Sequence, residues 1–277
     1  MRRPWRKALV YLVLLAVLGL IFFPIFWMIS TSFKTAPSVL ELPPQWLPRP
    51  FTWENYAKLF QERSRFLTFA GNSLIVCTAT SLVCVVLAAL TGYGLSRLRF
   101  VGRRVVLLSI LATQMFPLSL ILIPLYILYR NLALLDTLGG LVLAFTSFGL
   151  PFSIWMMKGF YDNIPIGIEE AAVLDGAGPF QVLFRVVLPL TAPGLATVAL
   201  YSFLQGWNNL LFPLALTSSL DKRLIPPGFI LTYVGEFQYY WTDMLAASTA
   251  VTIPVVIAFI ALQRYFISGL TSGAVKG

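Results

Sequence analysis

Long apolar runs separated by short polar segments dominate the hydrophobic pattern of this chain. A helix that crosses a bilayer needs about 20 apolar residues in a row, and six runs are long enough. Because backbone polar groups in lipid must be satisfied within the segment, the runs are predicted to be helices rather than strands. The six predicted spans cover residues 8–33, 68–96, 105–129, 137–158, 193–217 and 244–264.

Basic residues cluster before the first predicted span and between the second and the third. They are Arg2, Arg3, Arg6, Lys7, Arg97, Arg99, Arg103 and Arg104. Short loops rich in Lys and Arg stay in the cytoplasm, so both termini and residues 163–190 are predicted to be cytoplasmic. Residues 34–66 and 218–243 become external loops. The net charge of +9 is therefore interpreted as a sign of membrane orientation rather than of nucleic-acid binding.

Composition agrees with a membrane protein. The 277 residues are 58% hydrophobic and 11% charged, against about 25% charged in a soluble domain. The chain has no His, which excludes His-based metal sites, catalytic triads and His general bases. Cys77 and Cys84 lie within one apolar run and are predicted to be buried thiols, not a disulfide or a metal pair.

The first apolar run could be a cleaved signal peptide instead of a span. It is too long for the apolar region of a signal peptide and is followed by no convincing cleavage site, so a retained helix is predicted. The sequence shows no tandem repeat, flexible linker or soluble domain. Residues 1–277 are therefore interpreted as one transmembrane domain.

The polar segment 163–190, between the fourth and fifth spans, has helix start and stop signals. Pro165 suits a first helical position, Glu169 and Glu170 follow near the positive end of the helix dipole, and Gly176 suits a left-handed helix end. These signals predict a short amphipathic helix from Pro165 to Asp175. A second helix is predicted to open at Gly178-Pro179, with Phe180, Leu183, Phe184 and Val187 on its apolar side, and to break at Leu188-Pro189.

Two interpretations of the 163–190 segment remain. An amphipathic helix lying on lipid usually presents Lys and Arg, whereas this one presents Glu169, Glu170 and Asp175. The small residues Ala171, Ala172 and Gly176 permit close approach by another protein. Docking to a protein is favoured over the lipid surface.

The same segment resembles the EAA loop of binding-protein-dependent ABC importers. The matching positions are Glu170-Ala171-Ala172, Gly176, Val186 and Leu188-Pro189, with Val186 where the family usually has Ile. In that family the loop forms coupling helices that sit in a cleft of the ATP-hydrolysing subunit. The resemblance implies these ATPase-coupling residues: Glu169, Glu170, Ala171, Ala172, Asp175, Gly176, Ala177, Phe184, Leu188 and Pro189.

Motifs elsewhere narrow the resemblance to carbohydrate-uptake permeases similar to the smaller permease of maltose importers. They are Asn72-Ser73-Leu74, Tyr93 to Phe100, Gly102-Arg103-Arg104, Asp175-Gly176-Ala177, Trp207-Asn208 and the C-terminal stretch from Gly269. The resemblance implies an all-α polytopic membrane protein with six transmembrane helices and cytoplasmic coupling helices, the type I importer permease fold. The implied function is an ATP-driven sugar importer subunit in a prokaryotic inner membrane.

The sequence contains no G-x-x-x-x-G-K-[ST] motif and hence no phosphate-binding loop of its own. We therefore expect no catalytic residue, no metal and no cofactor in this chain. The resemblance implies two partner ATPase subunits that bind ATP and Mg, a second related permease and an extracytoplasmic sugar-binding protein, besides membrane lipid.

Polar residues inside spans usually face the interior of a helix bundle. Gln114, Gln205, Trp207 and Asn208 are candidates for a substrate path, because sugars combine hydroxyls with apolar ring faces. The alternative is hydrogen bonding between helices without any ligand. Asn209 is given no role, because relatives often carry an acid at its position.

Two further sets of candidates come from the resemblance. Pro227, Tyr239, Tyr240 and Trp241 lie in the external loop that contacts the binding protein in the family; an aromatic belt at the bilayer surface is the alternative. Thr271, Ser272 and Gly273 lie in the tail, residues 265–277, which in the family enters the ATPase interface. Composition alone favours a disordered end.

An ion-gradient-driven secondary transporter is the alternative function. Such transporters normally use intramembrane acids or His for coupling, and the six spans carry no Asp, Glu or His well inside. A membrane enzyme lacks support for the same reason, and a purely structural membrane protein leaves the 163–190 segment unexplained.

Overall fold

The computed structural model of this chain is built from helices joined by short connections. It describes residues 4–61, 64–234 and 240–274, with side chains for residue 7 and for 9–61, 64–234 and 240–265. No β-strand occurs in these ranges, and the prediction of an all-helical fold is confirmed. The helices are α1 (Pro4–Ser32), α2 (Glu54–Leu59), α3 (Phe66–Arg97), α4 (Arg103–Ala112), α5 (Leu118–Asn131), α6 (Leu138–Asp162), α7 (Ile166–Leu174), α8 (Pro179–Leu190), α9 (Ala192–Trp207), α10 (Leu211–Leu216), α11 (Ile225–Tyr233) and α12 (Trp241–Ala274).

Four helical stretches are each long and apolar enough to cross a membrane. They are Leu9–Ser32, Phe66–Arg97, Leu138–Asp162 and Trp241–Tyr265. Two helix pairs reach the same length only jointly, because each pair is sharply bent. Arg103–Met115 meets Leu118–Asn131 at 98°, and Pro179–Leu190 meets Ala192–Trp207 at 76°. By length and composition, the described residues thus contain four candidate spans, or up to six if each bent pair is one span.

The predicted spans differ from the observed helices at three places. The third is broken at Phe116–Pro117, because Pro117 has no N–H for a helical hydrogen bond. The fifth, predicted over 193–217, is non-helical at residues 208–210. The sixth continues to Ala274, so residues 265–274 extend the helix instead of forming a disordered end.

The chain divides into two compact units. The first unit, Met1–Leu67 with Phe229–Pro254, contains the proline-rich loop 34–66 that the sequence predicts to be external. Within it, buried Asn55 donates from Nδ2 to the carbonyl oxygens of Ser32 at 2.9 Å and Lys34 at 2.8 Å. The bond to Ser32 satisfies a carbonyl group that the end of α1 leaves without a helical partner, and the bond to Lys34 holds the chain just beyond the helix.

Lys34 is buried just beyond α1. Its Nζ donates to the carbonyl oxygen of Gln45 at 2.6 Å and lies 4.1 Å from the centroid of the Trp27 ring. Burial lowers the pKa of this ammonium group, and the aromatic face stabilises the charge that remains. The loop is thereby held against the end of α1.

The second unit, Thr68–Gly228 with Val255–Gly277, is organised around α3, α6 and α9. One core cluster consists of Ala88, Leu95, Ile154, Met157, Tyr161, Val182, Leu183, Val187 and Val198. A second consists of Val76, Tyr129, Leu141, Ala144, Phe145, Phe212, Leu216 and Leu224. Small residues let the helices approach closely: a Cβ on Gly92 of α3 would lie 2.9 Å from Cβ of Met157 on α6. Cys77 and Cys84 are free and buried in this unit, as predicted.

Candidate functional site

The 163–190 segment folds as two helices joined by a short turn. Pro165 was predicted to be the first helical residue. In the structure it immediately precedes α7, which begins one residue later, at Ile166. Gly176 has φ +89°, the left-handed conformation predicted for the helix end. A Cβ on Gly176 would meet no atom within 4 Å, so the backbone angle, and not a lack of space, favours glycine there.

Helix α8 differs from the prediction that Leu188-Pro189 would break it. Val182–Val187 is a π-helix, and the chain stays helical through Leu188–Leu190. Pro189 lies in the first turn of the α-helical stretch that follows the π segment, a position at which proline is tolerated. The chain turns two residues later, at Thr191.

Glu169 is buried rather than presented on the polar face of α7. The residue is only 8% exposed. Its Oε1 accepts a hydrogen bond from Arg97 Nε at 2.5 Å, and its Oε2 accepts one from the Tyr93 hydroxyl at 2.9 Å. Tyr93 and Arg97 lie four residues apart and therefore on one face of α3. One carboxylate thus joins α7 to the last turn of α3.

The hydrogen bonds continue from Arg97 to the end of α6. Arg97 Nη2 donates to the carbonyl oxygen of Ile164 at 3.0 Å, and Nη1 donates to Ser96 Oγ at 3.1 Å. Ser96 Oγ donates to Asp162 Oδ1 at 2.7 Å, and Asp162 also pairs with Lys158. The ends of α3 and α6 and the start of α7 therefore share one network of charged hydrogen bonds, which are stronger than neutral ones.

Apolar side chains dominate the exposed face of the 163–190 segment. Leu174 is 88% exposed and Phe180 is 75% exposed. Other exposed apolar residues are Ile166, Ile168, Val173 and Phe184. The predicted coupling residues Glu170, Ala171, Asp175, Gly176 and Pro189 are exposed too, whereas Ala172, Ala177 and Leu188 are half-buried. Such a patch on a polar connection is typical of a contact surface.

The substrate-path candidates divide into two groups. Trp207 is buried and stacks on Phe203, with 5.2 Å between ring centroids. Asn208, directly after α9, donates from Nδ2 to the carbonyl oxygen of Leu204 in that helix. Gln114 and Gln205, in contrast, line one cavity, which also includes Asn209.

The candidates for binding-protein contact also fall into different environments. Tyr240 and Trp241 are exposed at the start of α12. Pro227 is buried, next to Gly228, where a Cβ would lie 2.4 Å from the Phe69 ring; the close packing of this turn removes Pro227 from the surface. Tyr239 lies outside the described residues. Thr271, Ser272 and Gly273 lie in the last turns of α12, and their side chains are outside the described part of the chain.

Sequence reasoning missed the residues that hold α7 in place. From the sequence, Tyr93 and Ser96 are noted only as part of the family resemblance. Arg97 is noted there too, and otherwise only as a basic residue that predicts membrane orientation. The available signal was the clustering of polar residues on the last turn of an apolar helix. Lys158 and Asp162, an i,i+4 pair at the end of the fourth apolar run, gave a similar signal.

Helices that are long and apolar enough to cross a membrane, with an exposed apolar segment between two of them, define a multi-span membrane protein with a contact surface. Residues 84–272 match the family described as "Binding-protein-dependent transport system inner membrane component". This match covers more than half of the chain, and the chain belongs to that family. It is accordingly a multi-pass membrane permease of a binding-protein-dependent importer.

Several relatives match over almost the whole chain. The inner membrane ABC transporter permease protein YcjP of Escherichia coli is 38% identical, over 92% of this chain and 91% of the relative. The trehalose transport system permease protein SugB of Mycobacterium tuberculosis is 35% identical, over 94% of each chain. A chain in the crystal structure of a bacterial ABC transporter involved in the import of the acidic polysaccharide alginate is similar in fold. That chain has a TM-score of 0.79 and 27% identity, over 96% of this chain and 98% of its own length.

Proposed function

We propose that this chain is a membrane-spanning subunit of an ATP-driven sugar importer, and that its 163–190 segment docks on an ATPase subunit. One observation carries the proposal. The segment exposes the apolar side chains Leu174 and Phe180, while Glu169 and Arg97 fix its first helix to α3. A surface that is apolar on one side and anchored on the other suits the transfer of a movement between proteins.

Membership of the family supports the other subunits of the proposed importer. In this importer two ATPase subunits bind ATP and Mg, and the lack of a phosphate-binding loop in this chain supports that division of roles. A second, related permease completes the translocation path, and an extracytoplasmic sugar-binding protein delivers the cargo. Sugar as cargo is supported by relatives named for trehalose and for trehalose and maltose.

The basic residues beside the spans support an orientation with both termini and the 163–190 segment in the cytoplasm. In that orientation, closure of the ATPase dimer pushes α7 and α8. The Glu169–Arg97 pair transmits the displacement to α3. Tyr240 and Trp241 remain candidates for contact with the binding protein, and the end of α12 near Gly273 for contact with the ATPase.

Co-purification and energy dependence test this function. The tagged full-length chain should co-purify with an ATPase, and uptake of radiolabelled trehalose or maltose should stop when ATP is depleted while the ion gradients are kept. Uptake that continues on the gradient alone would favour a secondary transporter and would contradict the proposal. A chain that retains no ATPase in mild detergent would contradict it as well.

A further inference from the structure

Two interrupted helices border the same cavity in the second unit. The first interruption lies at Phe116–Pro117, between α4 and α5, and the second at residues 208–210, between α9 and α10. The cavity has a volume of about 280 Å³. Gln114 and Phe116 line it from the first interruption, and Gln205 and Asn209 from the second. Phe148 of α6 adds an aromatic wall.

This cavity is a poor place for lipid. Non-helical backbone at membrane depth is tolerated only where it is buried in protein or lines a water-filled cavity, because lipid offers no hydrogen bonds. Both interruptions fall inside the predicted third and fifth spans. Three side-chain amides line the same cavity. Polar groups in spans face a bundle interior or an aqueous path, so these amides also indicate that the cavity is not filled by lipid.

Each of the three amides has hydrogen-bonding capacity left over. Gln114 Nε2 donates to the carbonyl oxygen of Phe148 at 2.8 Å, which leaves its Oε1 as an acceptor. Asn209 Oδ1 accepts from the backbone N–H of Phe212 at 3.0 Å, which leaves its NH₂ group as a donor. The side-chain amide of Gln205 has no hydrogen bond to the described part of the chain, and its Oε1 would lie 2.8 Å from a Cβ on Gly149. Gln114 and Asn209 are thus fixed by one bond and offer another.

The lining also indicates the chemistry of a ligand. None of the described residues that line the cavity carries a charge, so the cavity suits a neutral solute better than an ion. Amide donors and acceptors pair with hydroxyl groups, and the exposed ring of Phe116 offers a flat apolar face. A sugar ring combines hydroxyls at its rim with an apolar face. The volume is near the lower end of about 300–1,000 Å³ for ligand pockets, which suits one ring.

We propose that this cavity is a sugar-contact site carried by this chain itself. Gln114, Gln205 and Asn209 hydrogen bond to hydroxyls of the passing sugar, and Phe116 packs against its ring. The proposal rests on the proposed importer function and adds to it where the cargo touches this subunit. The site includes Asn209, for which no role was predicted from the sequence. It excludes Trp207, which stacks on Phe203, and Asn208, which is hydrogen-bonded to the Leu204 carbonyl.

Thiol labelling of the complete importer complex tests the site directly. Gln205→Cys and Asn209→Cys are compared with Leu214→Cys, an exposed apolar position on α10 outside the cavity, and the buried Cys77 and Cys84 of the unmodified chain give the background. A water-soluble methanethiosulfonate should label positions 205 and 209 several-fold faster than position 214. Millimolar trehalose, maltose or diacetylchitobiose should slow that labelling. Absence of labelling, or labelling that none of these sugars slows, overturns the proposal.

Transport kinetics supply the second test. Gln205→Leu should raise the KM for uptake of the protecting sugar about two- to tenfold, the effect of one lost neutral hydrogen bond. Gln61→Leu, an exposed glutamine in the first unit, should leave KM unchanged. An unchanged KM for Gln205→Leu in a complex that still hydrolyses ATP overturns the sugar-contact site alone. Loss of ATPase association by the unmodified chain overturns the importer function itself.

Discussion

At the scale of single residues, two neighbouring glutamates show how position separates roles. Glu169 and Glu170 are adjacent in α7 and chemically identical. Glu169 is buried against Arg97 and Tyr93, whereas Glu170 is exposed. Glu169 therefore belongs to the fold of this chain, and Glu170 is available to another protein.

Glu169→Gln should destabilise the chain by about 3–5 kcal/mol, because it leaves the Arg97 guanidinium buried without a counter-charge. Glu170→Gln should change stability by less than about 0.5 kcal/mol. Denaturant unfolding of the purified chain in detergent measures both. Removing Arg97 together with Glu169, as Arg97→Gln with Glu169→Gln, should cost less than the sum of the single changes. Equal effects of the two glutamate changes would contradict the assigned roles.

Asp136 provides a pH-dependent contact between the end of α10 and the connection before α6. Its Oδ1 accepts the backbone N–H groups of Ser218 and Ser219, each at 3.0 Å. Partial burial opposes ionisation, but the hydrogen bonds from Ser219 and Ser218 outweigh it and hold the pKa of Asp136 below its usual 3.8. Folding therefore favours the charged carboxylate.

The contribution of Asp136 to stability should be complete above pH 3.8 and should be lost as the pH falls through the lower folded-state pKa. Asp136→Asn keeps an acceptor oxygen but removes the charge. The difference in Tm between the unmodified chain and Asp136→Asn should therefore shrink on acidification below pH 3.8. Asp175→Asn, at an exposed position in the 163–190 segment, serves as control. A difference in Tm for Asp136→Asn that stays constant down to pH 3 would refute this assignment.

At the scale of helices, close packing of α3 on α6 sets the base on which α7 rests. Gly92 lies where the two helices meet: a Cβ there would be 2.9 Å from Met157 Cβ and 3.1 Å from the backbone nitrogen of Lys158. Gly94, two residues further along α3, faces more open space, and the nearest atom to a Cβ there is Leu98 Cδ1 at 3.9 Å. The two glycines form a matched pair in one helix.

Gly92→Ala should destabilise the chain by about 1–3 kcal/mol, because the added methyl group forces the helices apart. Gly94→Ala should be neutral, or stabilising by up to about 1 kcal/mol, since alanine is the better helix former. Thermal unfolding in detergent compares the two variants. If both respond alike, the contact between α3 and α6 is looser than the structure indicates.

The helices themselves could be predicted from the sequence, because lipid demands long apolar runs with satisfied backbones. The end of α7 at Gly176 was predictable too, since a left-handed cap is a local property of the chain. The interruption of the helix near Asn209 could not be predicted, because hydropathy measures how apolar a run is and does not show where the helix within it is interrupted. The burial of Glu169 was equally out of reach: Arg97 is 72 residues away in sequence, and no local pattern identifies such a partner.

At the scale of the second unit, two helices connect the 163–190 segment to the cavity. Helix α6 carries Asp162 in the network at one end and Phe148 at the cavity. Helix α9 follows α8 directly and carries Gln205, about 20 Å along its axis from Ala192 at a rise of 1.5 Å per residue. A displacement of α8 can therefore pass to the proposed sugar-contact site through α9, which follows it after the 76° bend at Thr191, because packed rigid helices are among the elements that carry coupling between sites.

The exposed apolar patch makes the proposed docking testable without disturbing that route. Leu174→Ser and Phe180→Ser remove side chains that protrude from the segment, so stability should change little. Association with the ATPase should weaken by about 2 kcal/mol per change, roughly thirtyfold, if these residues fill pockets on the partner. Leu132→Ser, at another exposed leucine between α5 and α6, is the control for loss of surface hydrophobicity. The affinity of the purified ATPase for the reconstituted permease measures the effect. The ion pair between Glu169 and Arg97 is intact in both variants, so α7 stays anchored to α3. An unaltered affinity would therefore mean that the patch contacts lipid and that the ATPase docks elsewhere on the chain.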